Sequence, residues 1–140
     1  MGFDINDYKH QGPVPKGKAR FHDLWEIFRR VNRVHFDGSI VIKEVSWGVP
    51  DMIHQNGVSC VPAAAIYPNR ELIMVHEALP FMRAPKYVYS YLIFHECLHL
   101  VVPPENGNCH GPVFSMREMF APNRKRSIEW LARKNFPVME

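Results

Sequence analysis

The chain has 140 residues, of which 46% are hydrophobic and 22% charged, with a formal net charge of +3. That length and balance suit one domain with a packed core, and so weak a charge singles out no partner. No apolar run approaches the roughly 18 residues of a membrane span, the first residues lack the apolar core of a signal peptide, and Cys60, Cys97 and Cys109 are too few and too scattered for a disulfide framework or a Cys-x-x-Cys ribbon, so the chain reads as cytoplasmic with reduced thiols.

Residues 1–19, rich in Gly, Pro, Lys and Asp, read as a flexible arm, and residues 20–140 as a single domain. "FHDLWEIFRRVNRVHF" sets Phe21, Leu24, Trp25, Phe28 and Val31 at steps of three and four, the spacing of an amphipathic helix, which Asp37-Gly38 stops. The β-branched "SIVIKEVSW" predicts a strand, and a turn at Asn56-Gly57 follows. "VSCVPAAAIY" and "ELIMVHEAL" predict further strands about a turn at Pro68-Asn69, giving a small antiparallel sheet of three or four strands. From Lys86 to about Val101 a helix carries apolar residues on most sides, which suits a central, buried element, and Pro103-Pro104 ends it. A polar loop, "ENGNC", leads to a helix from Pro112 through Met119, and Ser127–Asn135 form a last short helix. The sum is an α+β domain with helices packed on one face of the sheet. Arg124, Lys125, Arg126, Arg133 and Lys134 gather near the end, as the solvated face of that last helix or as a patch for nucleic acid.

"FHECLHLVVPPENGNCHGPVF", residues 94–114, carries the chemistry. His95 and His99, four apart on a helix, share a face on which two imidazole nitrogens can converge on one ion. Glu96, turned from His95 by about 100°, need not bind the ion; it can face a water held there and take its proton. The bland alternative is a helix with one half-buried and one surface histidine. Against it, imidazoles and a carboxylate left unpartnered in apolar surroundings carry a desolvation cost that a divalent ion would relieve. A catalytic zinc site takes three protein ligands and keeps one position open. Four residues compete for the third place: His110 across a Pro- and Gly-containing loop, Glu118 on the next helix, His76 at the end of a strand, and Cys60. Metzincin spacing is excluded, because Val102 and Glu105 stand where it needs Gly and His.

From about residue 24 to residue 120 the chain resembles the SprT-like zinc metallopeptidases. "LWEIFRRVNRVHFDGSI" is similar to that family's first helix and its lead into a strand, "VSW" to its strand ending in Trp, "NGVSC" with "ELIMV" to its hairpin, and "HECLH" with "HGPVF" to its metal motif and downstream His-Gly-x-x-Phe. The resemblance implies a zincin-like active-site helix, zinc held by His95, His99 and His110, Glu96 as general base, and hydrolysis of peptide bonds, in well-known members on DNA-associated proteins. The C-terminal zinc ribbon that many members carry is not found in this sequence. Two other readings stand beside it. One is a peptide-deformylase-like amide hydrolase with Cys60 as third ligand, although Leu98 stands where that family has Asp. The other is a zinc-stapled domain that binds DNA or protein without catalysis. Cys97 reads as a small buried hydrophobe, and Tyr67, Tyr87, Tyr89 and His54 as side chains from which an oxyanion-stabilising partner could come.

Overall fold

The computed structural model describes Ile5, residues 22–55 and residues 57–137. Apart from Ile5, the expected arm lies outside the described residues, as do Phe21 and Asn56. Helix α1 (Leu24–Phe36) starts where the Asp23 carboxylate accepts a hydrogen bond from the Glu26 N–H at 3.2 Å, an N-cap that satisfies one of the helix's orphan donors. It ends at Asp37, which adopts φ 53°, with Gly38 at φ 73° completing the turn. Leu24, Ile27, Phe28, Val31 and Phe36 form its buried stripe. The Asn32 amide then fastens the exit, donating to the Ile40 carbonyl and accepting from the Ile40 N–H, both at 3.0 Å.

Strands β1 (Glu44–Gly48), β4 (Ala64–Tyr67) and β5 (Leu72–His76) form one sheet in the order β1-β5-β4, and β2 (Ile53–Gln55) and β3 (Val58–Cys60) form a separate antiparallel ribbon. The α+β class is as expected, but the main sheet is mixed rather than antiparallel: β5 runs antiparallel to β4 and parallel to β1. The cause is the path of the chain. After β1 it makes the β2–β3 ribbon and β4 before the 3₁₀ turn Pro68–Arg70, with Glu71 at φ 50°, returns it as β5 between the other two. The stretch expected as one strand, "VSCVPAAAIY", is divided into β3 and β4 around Pro62, which has no N–H to give a ladder. β1 begins at Glu44, later than expected, because the Lys43 and Glu44 amides both bond to the Glu71 carbonyl.

Helix α2 (Lys86–Val101) lies at the centre, packed by α1, α4, β4, β5 and α3 (Pro112–Glu118). Val88, Tyr89 and every residue from Tyr91 to Leu98 are buried. Each buried aliphatic or Phe side chain stabilises the fold by on the order of 1.5–3 kcal/mol, which holds this helix, polar residues included, in the interior. Helix α4 (Arg124–Arg133) begins before the expected Ser127, since Asn123 at φ 56° turns the chain straight into it.

Candidate metal centre

Because α2 is apolar nearly all round, its motif is carried inside: His95 is 1% exposed and Glu96 3%, while His99, one turn on, is half-buried. The segment after α2 is knitted by its own backbone. The Glu105 and Asn108 amides each bond to the other's carbonyl at 2.9 Å, and Asn106 and Gly107 between them take φ 51° and 78°. Two successive positive φ values across a closed pair are the signature of a type I′ turn, for which Asn-Gly is the favoured sequence. The Asn108 side chain then accepts from the His110 N–H at 2.9 Å, and the Glu105 carboxylate accepts from the Val113 N–H at 3.2 Å, satisfying a first-turn donor of α3.

This path brings His110 beside α2. One ring nitrogen from each of His95, His99 and His110 lies within 4.8 Å of the others, and the His99 and His110 Nε2 atoms are 3.0 Å apart. Bonds of about 2.0–2.1 Å to a tetrahedral zinc would set ligand nitrogens roughly 3.3 Å apart, so small side-chain rotations suffice. Phe114 touches all three rings, at centroid distances of 5.0, 4.4 and 4.9 Å from His95, His99 and His110. Burial, with His95 and His110 adding to it, pushes the His99 imidazole down to about 3; burial and His95 push His110 down to about 4, against the pull of Glu118. These rings are therefore neutral at ordinary pH, the form that offers a lone pair to a metal. The three histidines can bind a metal ion.

Glu96 differs from its neighbours. Burial pushes its carboxyl up to about 7, with His95 pulling the other way, and its Oε2 is buried with no hydrogen-bond partner. Buried polar atoms are seldom left so, and one on the helix that carries His95 and His99 points to a ligand or water as its missing partner.

The other three candidates for the third ligand are not among the convergent atoms. Glu118 is buried on α3, where its Oε2 accepts from the Tyr91 hydroxyl at 2.5 Å and lies 3.4 Å from His95 Nδ1, while Oε1 accepts from Arg124 Nε at 2.5 Å. Burial works to raise its pKa, but hydrogen bonds from His95, Arg124 and Tyr91 outweigh burial and hold the carboxyl below its usual range. His76 is buried elsewhere, its Nδ1 accepting from the Ala78 N–H at 3.0 Å. Cys60 lies on β3 opposite Ile53. Cys97 is buried and burial pushes its thiol up to about 12, as suits a small apolar residue; Cys109 is exposed.

Of the four side chains considered for the oxyanion, Tyr67 accepts from the Asp51 N–H, His54 pairs with Ser59, Tyr87 lies beneath Arg126, and Tyr89 is buried with an unpartnered hydroxyl. None is drawn into the trio. The basic stretch near the end is partly spent: Arg124 turns inward to Glu118, and the Arg126 guanidinium lies 3.9 Å from the Tyr87 ring centroid. A basic surface with no counterpart in the sequence reading lines a cleft of about 240 Å³ between α1 and α2, where Arg29, Arg30, Arg33 and Lys86 meet. The spacing of Arg29, Arg30 and Arg33 on α1 was the available signal. Among the described residues no helix is long and apolar enough to cross a membrane. No protein-family model and no curated protein matches this chain.

Proposed function

We propose that this protein is a zinc-dependent metallopeptidase of the SprT-like kind, with His95, His99 and His110 as ligands and Glu96 as general base. One observation carries the reading: a buried carboxylate with an unpartnered oxygen sits on the same helix as two of three convergent imidazoles. A purely structural zinc site does not need that carboxylate, and burying it without a partner costs stability. Three imidazoles also suit zinc better than the hard, oxygen-seeking cations.

When bound, the ion supplies a Lewis acid that polarises a carbonyl and lowers the pKa of a water toward about 7. The chain supplies the rest. Glu96 takes a proton at its open oxygen and returns it to the leaving amine. The apolar shell of α2 and the Phe114 ring exclude water from behind the trio and keep the imidazoles in register. Cys60 is not among the convergent atoms, so the deformylase-like reading has no geometric support. Nucleic acid as a partner has in its favour the exposed Lys125 and Arg133 on α4 and the four basic residues about the α1 cleft.

The test is Glu96→Gln, assayed on an unfolded protein substrate with the zinc content measured in parallel. Zinc should stay stoichiometric while hydrolysis falls on the order of 10²–10⁴-fold. Cleavage at the wild-type rate would show the base to be wrong, and a wild-type protein that takes up no zinc would remove the whole reading.

A further inference from the structure

Glu118 is a buried carboxylate to which the hydrolytic reading gives no task. Both its oxygens are engaged. Oε1 takes the Arg124 Nε–H at 2.5 Å, and Oε2 takes the Tyr91 hydroxyl at 2.5 Å and faces His95 Nδ1 at 3.4 Å. Tyr91 and His95 are one turn apart on α2, Glu118 closes α3 and Arg124 opens α4, so three helices meet at this carboxylate. Arg124 supplies the balancing charge that an ionised group needs away from water.

An imidazole presents its two nitrogens on opposite edges, and the hydrogen bond made by one decides what the other can do. An ionised carboxylate only accepts. With Nδ1 turned to Glu118, the His95 proton belongs on Nδ1, which leaves the lone pair on Nε2; the His99 and His110 ring centroids lie 5.0 and 5.1 Å from that of His95.

We propose that Glu118 is a positioning residue: held by Tyr91 and Arg124, it sets His95 as the Nδ1–H tautomer and so presents Nε2 to a divalent cation. The proposal rests on the metal-site reading above. If Glu118 merely ties α3 to α4 through Arg124, neither the tautomer nor the metal affinity depends on it.

Side-chain nitrogen–proton correlation spectra of the metal-free wild-type protein should show His95 protonated on Nδ1. In Glu118→Gln, Arg124 still donates and so claims the amide oxygen, which turns the amide NH₂ toward Nδ1 as a donor. The tautomer should then invert to Nε2–H, and competition with a chromophoric chelator should show zinc bound about 10–100-fold more weakly. An unchanged tautomer with zinc affinity within about threefold of wild type would overturn the role of Glu118 and leave the metal site standing, as wild-type zinc uptake would show. Failure of the wild-type protein to bind zinc would remove the metal reading itself, before any substitution is made. If Glu118→Gln does not fold, the wild-type spectrum decides: protonation on Nδ1 supports the proposal and protonation on Nε2 overturns it.

Discussion

Phe114 lies against His99 with ring centroids 4.4 Å apart and planes 24° from parallel, and the same ring reaches His95 and His110. It is 1% exposed, so it is both a core residue and the wall that the three histidines lean on. Phe114→Ala should cost about 3–5 kcal/mol in urea unfolding of the metal-free protein. Phe114→Leu should recover most of that stability yet bind zinc more weakly than wild type, because a flat face against three rings is lost. Equal zinc affinity in the Leu variant would reduce Phe114 to core packing alone.

Gly111 stands between His110 and α3 with little room. A Cβ there would run into the Glu105 carboxylate and lie 3.0 Å from the Glu105 Cβ. Gly111→Ala should therefore displace Glu105 from the Val113 N–H, cost about 1 kcal/mol of stability and shift His110. In a Glu105→Ala background the same substitution should cost much less. That non-additivity, read from a double-mutant cycle, is the check; additive losses would place the strain elsewhere.

Zinc should act as a stabilising ligand. At a free concentration of one hundred times Kd, it should add about 2.7 kcal/mol and raise Tm by roughly 10 °C, reversibly on chelation. His110→Ala should lose most of that shift. A shift that survives in His110→Ala would mean that another group completes the ligand set.

His76 gives a pH dependence separate from the metal. Burial pushes its imidazole down to about 4, with Glu77 opposing, and its Nδ1 accepts a backbone N–H, a bond that protonation breaks. The native state thus holds this ring neutral where the unfolded chain, near 6.5, binds a proton. Its share of stability is complete above pH 6.5 and is lost as pH falls toward 4, about 3 kcal/mol in all. In His76→Asn, which can still accept from Ala78, the slope of unfolding free energy over that range should shrink by about one proton. An unchanged slope would show that His76 is not the group responsible.

Much of the site was legible because it is local. Helical spacing places His95 and His99 on one face, the apolar run around them requires burial, and proline marks where α2 ends. What was not legible depended on meetings between distant parts. The apolar run in "ELIMV" marks a strand but carries no direction, so the parallel pairing of β5 with β1 follows only from the chain's full path. Glu118 is an eligible ligand by residue type, and only the packing of α3 against α2 turns its oxygen to His95 Nδ1. Asn106-Gly107 is a turn signal in its own right, yet its role in aiming His110 appears only with the bonds that close it.

Tyr91, the three histidines, Glu96, Phe114 and Glu118 belong to one uninterrupted piece of chain, folded over a hairpin that closes itself. Loops this short close cheaply and quickly. The constellation should thus assemble early, as soon as α2 finds its apolar neighbours, while the long return of β5 to β1 is still being made. It is also the kind of cassette that could be grafted onto another scaffold with a suitably greasy floor.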